Sequence, residues 1–401
     1  MSTLKVDAIR HNSATSDAIT TAADGTCTAK ITGMTGGGAL SHRNIIDNGA
    51  MNVAQRGQVT GVTDGFGGPD RFRFQSNAST VTMSQSTDVP SGQGFAKSLK
   101  LDITTAGGDS SASTYTQIDY RFEGQDLARL KYGTSSAETT TLSFWIKSPK
   151  TGIHWVRLYG DELSASSGNA FISRKYTVSS ANTWQKVTLS FPGYTSDGFD
   201  NDNTTGMRIS WYFAQGSNYS SGTAQADDGG WLDWGDAADR ARNSAGQVNC
   251  FDSTSNDIFL TGVQFESAST ATDFEHRSFG DELNRCERYY QCMKGPSAVG
   301  GGTGERCYGV AHTYSSSRAL WSFQFKTEMR SSPTVSINSV SNLQVLSTTA
   351  WNTCTSFVST NNFHKFGGRV DMNFSGSVFT ANGAGEVRIL SDGVLGFDAE
   401  L

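Results

Sequence analysis

The chain has 401 residues, of which 36% are hydrophobic, 11% aromatic and only 17% charged, and its formal net charge is −6. The negative charge argues against a nucleic-acid partner, because phosphate binding draws on clustered Lys and Arg. No run of about 18 apolar residues occurs, so we expect no membrane insertion. The first residues also lack the apolar stretch of a secretory signal, which predicts a protein made in the cytoplasm.

Residues 1–43 form a distinct segment in which single apolar residues stand among Thr, Ser, Ala and Asp. A monomer could bury few of these apolar side chains within so short a stretch. We therefore expect an extended segment that is covered by two further copies of itself or by another protein. The glycine run 36–38 indicates a flexible joint after it.

Residues 44–285 are predicted to form one large β-domain. Its strand candidates alternate β-branched or aromatic residues with polar ones, a pattern typical of antiparallel sheets with one packed and one wet face. Val263 and Phe265, for example, alternate with Gln264 and Glu266. The predicted strands are Ser98–Ile103, Tyr115–Phe122, Thr140–Ile146, His154–Tyr159, Gln185–Phe191, Met207–Phe213 and Ile258–Phe265. Because so many strands follow one another without helical crossovers, we expect a jelly-roll β-sandwich.

Residues 286–401 repeat the short-strand pattern and are predicted to form a smaller C-terminal β-domain. The sequence 281–293 at the junction is the best helix candidate, although a turn of helix leading into a strand at Tyr289–Met293 fits equally well. The predicted fold class is therefore all-β: a jelly-roll body with an extended N-terminal segment and a second β-rich tip domain.

The loop 227–240 is the best candidate for ligand binding. Trp231 and Trp234 alternate there with Asp233 and Asp236. Indole faces stack on the C–H groups of sugars while carboxylates bond to hydroxyls, so these four residues are our candidate glycan site. Two alternatives stay open: the indoles anchor a long loop to the sandwich, or two of the aspartates act as a glycosidase pair.

A second polar loop carries Asp197, Asp200 and Asp202, which offer the hard oxygen ligands that Ca²⁺ prefers. Polar turns look the same without metal. We therefore treat a structural calcium as a hypothesis and expect no other cofactor.

Three stretches resemble one family of proteins. They are the opening LKVDAIR…TTAADGT, NIIDNGAMNVAQRG (44–57), and the run from AGQVNCFDSTSNDIF to FGDELNRCERYY (245–290). These stretches are similar to tail fibres and other fibre-like virion proteins of marine and cyanobacterial tailed bacteriophages. The resemblance implies a homotrimeric fibre, attached to other virion proteins through residues 1–43, that contacts host surface glycans.

We accordingly expect a structural, receptor-binding protein of the virion, assembled in the host cytoplasm, and not an enzyme. No spacing of nucleophile and base residues indicates hydrolysis. Two alternatives remain open: a head fibre or neck appendage with a purely structural function, and a glycan-degrading tailspike.

Overall fold

The computed structural model describes residues 8–9, 19–21, 23, 27–29, 42–295, 306–358 and 363–401. Within them the chain forms 27 β-strands and three short α-helices, so the predicted all-β class is confirmed. Two antiparallel sheets pack face to face around a large apolar core and form a jelly-roll-like sandwich. None of the helices in the described part of the chain combines the length and apolar character of a membrane span.

The first sheet of the sandwich has six strands. From edge to edge they are β13 (Gln185–Phe191), β10 (Thr140–Lys147), β16 (Asp257–Ser267), β8 (Ser98–Thr105), β7 (Thr80–Ser86) and β4 (Val59–Val62).

The second sheet of the sandwich has seven strands. Their order is β15 (Leu232–Asp233), β12 (Asn169–Val178), β11 (Gly152–Ser164), β14 (Thr205–Gln215), β9 (Tyr115–Glu123), β6 (Arg73–Ser76) and β5 (Asp64–Phe66). A 3-10 helix, Gly124–Leu130, follows β9.

All seven strands predicted in this region are present, because alternate side chains on each supply the core. Ile118, Val156 and Trp211, for example, are fully buried between the sheets. The prediction of a wet outer face on β16 is wrong. Gln264 and Glu266 are 0% and 2% exposed, because the residues that follow the strand fold back over them. Glu266 accepts hydrogen bonds from the amide and hydroxyl of Thr272, at 2.9 and 2.7 Å.

A second apolar core lies among the C-terminal strands, with buried residues from Ala311 to Ala399. A three-stranded sheet has the order β17 (Tyr290–Lys294), β27 (Val394–Asp398), β20 (Thr334–Ile337). The eight-stranded sheet runs β22 (Trp351–Thr353), β21 (Leu343–Leu346), β26 (Gly383–Ile389), β18 (Arg306–Ser315), β19 (Arg318–Gln324), β25 (Gly367–Asn373) and β23 (Ser356–Val358), with β24 (Phe363–His364) also on β25.

The junction between the two cores contains helix α3 (Phe279–Glu287), followed directly by β17. Of the two readings of 281–293, the helix that leads into a strand is the correct one. The side chain of Ser278 caps α3 by accepting a hydrogen bond from the amide of Asp281 at 3.2 Å.

Near the N-terminus the described residues form a small antiparallel sheet of β1 (Ala8–Ile9), β2 (Ile19–Thr21) and β3 (Cys27–Ala29). The side chain of Ile9 is 52% exposed. The predicted attachment function of residues 1–43 lies mostly outside the described residues.

Candidate functional site

The outer face of the seven-stranded sheet is polar and carries a groove. Its side chains alternate with the core residues of the same strands, so Gln117, Arg157 and Tyr212 point away from the core. The strand register places Arg157 opposite Ser210 and Ser210 opposite Asp119. One row across three neighbouring strands therefore carries a cation, a hydroxyl and a carboxylate.

The excursion between β14 and β16 forms one wall of this groove. It contains α1 (Ser217–Ser220), β15 and α2 (Ala237–Ala241). The indole N–H of Trp155 donates to the carbonyl oxygen of Ala245 at 3.0 Å, and the hydroxyl of Ser173 donates to Oδ1 of Asn243 at 2.8 Å. These contacts hold the excursion against the outer face of β11 and β12.

Trp234 is the aromatic centre of the wall. Its ring stacks almost parallel on Tyr219, with centroids 6.1 Å apart and planes 11° apart. It also meets Tyr159 and Phe171 edge to face, at 5.5 and 5.2 Å. Trp234 remains half-buried, so part of the indole is available to a ligand.

A cavity of about 230 Å³ lies between this wall and the sheet. It is lined by Gln75, Tyr115, Gln117, Arg157, Arg208, Tyr212, Gln215, Tyr219 and Trp234. A second, wider hollow of about 650 Å³ shares Tyr219 and Trp234 with it and continues along α1 and α2. Trp234 thus borders both hollows of the groove.

Several polar atoms on this face of the sheet are buried and lack a hydrogen-bond partner among the described residues. They are Asp119 Oδ2, Arg121 Nε, Arg157 Nε, Asp161 Oδ2, Arg208 Nε and Gln215 Nε2. Each buried polar atom without a partner costs about 1–3 kcal/mol. Three of the six belong to Arg157, Arg208 and Gln215, which line the cavity, so the polar side chains of this face are not fully satisfied by one another.

Charges on this face are only partly neutralised. Arg208 pairs with Asp161 at 2.6 Å, and Arg73 pairs with Asp64 at 2.7 Å. Burial raises the pKa of Asp161, although the neighbouring guanidinium of Arg208 opposes the change. Burial, with Arg73 nearby, lowers the pKa of Arg121. The guanidinium charges therefore outnumber their carboxylate partners.

Of the four glycan candidates from the sequence, the structure places one in the groove and three in the framework of the loop. Trp234 lines the groove. The indole N–H of Trp231 donates to the Pro192 carbonyl oxygen at 2.9 Å, and its ring packs on Tyr132 and Tyr194. The side chain of Asp233 accepts from the Ser167 amide at 2.6 Å. Asp236 caps α2 by accepting from the Ala238 and Asp239 amides.

The three calcium candidates are not brought together. The Asp200 and Asp202 carboxylates lie beside that of Glu162, and ligand oxygens from the three residues are all within 4.8 Å of one another. Asp197 instead accepts a hydrogen bond from the amide of Ser164 at 2.8 Å, which holds its pKa below the usual value. The Asp200 amide and the Thr204 hydroxyl donate to Glu162, so this cluster already serves the hydrogen bonds of the loop itself.

Sequence reasoning missed the arginines of the groove and also Glu162. Arg121, Arg157 and Arg208 each occupy the ordinary polar position of an alternating strand. Glu162 is 38 residues before Asp200 in the sequence. No local pattern marks any of these residues, because only the pairing of distant strands brings them to one face.

No protein-family model matches the chain, and no curated protein matches it either. Solved structures with some likeness include the enzymatically active domain of tailspike protein 4 of bacteriophage CBA120, with 12% identity and a TM-score of 0.31 over 56% of this chain. The match spans only 21% of that tailspike chain.

Two further solved structures are carbohydrate-binding modules. One is the family 11 module of a cellulosomal cellulase of Clostridium thermocellum, with 13% identity and a TM-score of 0.26; the match covers 55% of this chain and 98% of the module. The other is a xylan-binding domain of Paenibacillus barcinonensis, with 13% identity and a TM-score of 0.27, covering 55% and 97%.

Proposed function

We propose that this protein binds glycans and that the sugar lies in the groove on the outer face of the seven-stranded sheet. The observation that carries the proposal is the combination of aromatic rings and polar side chains around one cavity. Sugars present C–H faces that pack on aromatic rings and hydroxyls that accept and donate hydrogen bonds. The groove offers partners for both.

Each part of the groove has a distinct task in this proposal. Trp234 and Tyr219 supply the surface on which a pyranose ring stacks, and Tyr115 adds a third ring to the lining of the cavity. Arg208 and Gln215 line the same cavity and supply polar side chains beside these rings. The buried Gln117 and Asp119 are hydrogen-bonded to each other at 2.9 Å, so they hold the sheet surface in a fixed arrangement.

We further propose that the protein binds its glycan without cleaving it. One oxygen of each of two aspartates on this face is engaged with a neighbouring side chain: Oδ1 of Asp161 with Arg208, and Oδ1 of Asp119 with Gln117. A carboxyl group held in this way orients the groove rather than acting as an acid or nucleophile. Release of reducing ends from a bound polysaccharide, lost in Asp161→Asn, would establish the glycosidase alternative instead.

The biological setting that we propose is a tailed-phage virion, in which the chain forms a trimeric tail fibre that contacts host surface glycans. The sequence resemblance of the 44–57 and 245–290 stretches supports this setting. Weak single-site binding, multiplied over three copies, suits reversible scanning of a cell surface. A head fibre or neck appendage is the alternative, and immunogold electron microscopy of the virion distinguishes the two positions.

The test of the groove compares two tryptophans only three residues apart. Trp234→Ala removes a stacking surface worth about 1–2 kcal/mol, so the Kd for a bound glycan should rise roughly 5- to 30-fold. Trp231→Ala is the matched control: it removes a loop anchor and should lower the melting temperature while the folded fraction binds normally. Affinity electrophoresis against bacterial surface polysaccharides, measured beside thermal unfolding, gives both readouts.

Two results would contradict the groove assignment. One is unchanged glycan binding by folded Trp234→Ala. The other is a loss of binding that follows only the loss of folded protein in both variants. Trp234→Phe, which keeps an aromatic ring against Tyr159 and Phe171, should have an intermediate Kd if stacking is the cause.

A further inference from the structure

Arg157 is a buried cation without a carboxylate partner. Its side chain lies in β11, in a residue that is only 6% exposed, and it lines the 230 Å³ cavity. Its Nη2 donates to the hydroxyl of Ser210 at 3.2 Å, whereas its Nε has no hydrogen-bond partner. Within the described residues no carboxylate forms an ion pair with it, although buried charges are usually paired.

Aromatic rings hold this guanidinium in place. Its central carbon lies 4.6 Å from the ring centroid of Trp234, 5.0 Å from that of Tyr159 and 5.3 Å from that of Tyr212. Cation–π contacts of this kind stabilise the positive charge, but they do not satisfy the N–H donors. The arginine is therefore fixed in position with hydrogen-bonding capacity left over.

The charged neighbours of Arg157 do not neutralise it. Asp161 is paired with Arg208 on the next strand. Asp119 faces both Arg73 and Ser210 across the sheet, and Asp64 pairs with Arg73 at the sheet edge. Arg121, directly opposite Arg208 in the strand register, also has no ion-pair partner in the described part of the chain. Four guanidiniums thus share three carboxylates, in a protein whose net charge is −6.

We propose that the groove selects an acidic glycan, and that Arg157 binds the carboxylate or sulfate group of one sugar while Trp234 stacks on that sugar or its neighbour. This inference rests on the proposed glycan-binding function and specifies its ligand class. A guanidinium presents N–H donors in a planar fork that matches a carboxylate or sulfate, and such charge-assisted hydrogen bonds are stronger than neutral ones.

The overall charge of the protein makes a local cation necessary for such a ligand. A chain with net charge −6 repels a polyanion at a distance, and a groove lined by an arginine excess reverses the sign of the potential where contact is made. A neutral glycan would leave the positive charge of Arg157 uncompensated in the groove. An acidic substituent that contacts the guanidinium from the cavity removes that cost.

The experiment compares glycans that differ only in charge. Polygalacturonate and its methyl ester form one pair, and dextran sulfate and dextran form another. We expect the wild-type protein to bind at least one acidic member roughly tenfold or more tightly than its neutral counterpart. Added NaCl should weaken that binding, and inorganic sulfate alone should bind far more weakly than the glycan.

The variants assign the effect to one residue. Arg157→Gln should abolish most of the preference for the acidic member, and Arg157→Lys, which keeps the charge but loses the fork, should retain part of it. Lys186→Gln is the matched control, because it removes one exposed positive charge from β13 of the opposite sheet. Melting curves of all four proteins show whether each variant is folded.

Each remaining outcome has a defined meaning. Equal binding of the neutral and acidic members, lost in Trp234→Ala but not in Arg157→Gln, would overturn this inference and keep the proposed function. An acidic preference unchanged in folded Arg157→Gln would overturn the assignment to Arg157. Arg157-dependent binding of inorganic sulfate as tight as that of the glycan would indicate a simple anion site. Binding to no member of either pair would count against both the inference and the proposed function.

Discussion

Two arginines, Arg56 and Arg71, form ion pairs and cation–π contacts where the two cores meet. Arg71 lies with its guanidinium 3.3 Å from the ring centroid of Tyr289 and forms an ion pair with Glu400. Arg56 pairs with Asp398 at 2.8 Å and stands 3.9 Å from Asp70. Because the side chains of Arg71, Glu400 and Asp70 are removed from water, their protonation is coupled to folding more strongly than that of surface pairs.

Asp70 gives this coupling a measurable pH dependence. Burial raises its pKa from 3.8 to about 6, although Arg56 and hydrogen bonds from Gln55 oppose the change. Below about pH 4 both folded and unfolded chains are protonated here, whereas between about 4 and 6 only the folded protein keeps the proton. The contribution of Asp70 to the free energy of unfolding should therefore fall as the pH rises from about 4 to 6. A difference of about two pH units corresponds to about 3 kcal/mol.

The measurement is the free energy of unfolding of the wild type and of Asp70→Asn between pH 4 and 7. The wild type should lose stability relative to the variant as the pH rises through this window, and the difference should level off as the pH reaches about 7. A difference that does not vary with pH would show that Asp70 titrates alike in the folded and unfolded chains.

The residues of the candidate site were predictable only where a local signal existed. The pair Trp231 and Trp234, interleaved with aspartates, stands out in the sequence, and one of the two lines the groove. Arg157 and Asp119 do not stand out, because a charged residue at the polar position of a strand is usually solvated. Arg157 and Asp119 come to the same face only through the register of strands that are distant in the sequence, and local sequence patterns do not give that register.

At the scale of elements, alternation was a sound guide to the strands but not to what covers their outer faces. The limits of Gln185–Phe191 were predicted as the structure has them, and the other six strands are longer by a few residues. The polar face of β16 is buried by the segment after it, and Glu275 contributes by donating its amide to Gln264 at 2.8 Å. Alternation of polar residues in a strand does not show whether its polar face contacts solvent or is covered by another segment that hydrogen-bonds to it.

A bulge in β16 is a second feature that alternation misses. The pairing of β10 with β16 shifts register between Ser143 and Trp145, opposite Gly262. Gly262 has a φ of +61°, which favours glycine. A β-carbon there would lie 2.6 Å from the Phe95 ring and 3.0 Å from the indole of Trp145.

Gly262→Ala should therefore destabilise the sandwich by about 2–4 kcal/mol, since backbone strain and overpacking add. Gly61→Ala is the matched control: its φ is +73°, but its β-carbon would meet no atom within 4 Å. It should cost only about 1–2 kcal/mol, the strain alone. Chemical denaturation of both variants measures the difference, and equal losses would show that Phe95 and Trp145 move aside freely.

At the scale of the whole molecule, the last residues of the chain tie the two cores together. Glu400 and Asp398 reach Arg71 and Arg56 of the sandwich, and Arg288 at the end of α3 pairs with the buried Glu123 at 2.6 Å. Contacts between residues 165 to 342 positions apart in the chain leave no trace in local sequence patterns. The charged contacts that join the two cores therefore could not be anticipated from composition or from local patterns.

The exposed apolar residue of the small N-terminal sheet leads us to expect that the chain assembles into a trimer. Its Ile9 is 52% exposed in a single chain, and the segment around it offers few apolar partners. In the proposed fibre, three copies cover these side chains, so light scattering should give three times the chain mass of 43.0 kDa. A chain that begins at Asn44 should keep the melting transition of the sandwich, because its strands all lie beyond that residue, but should no longer join virions.

A trimer also changes the size of the binding effects. The Trp234→Ala variant loses the stacking surface in all three grooves, so adsorption to cells should fall far more than single-site affinity. A monomer at micromolar concentration, or normal incorporation of the shortened chain, would contradict the fibre proposal while leaving glycan binding by the groove intact.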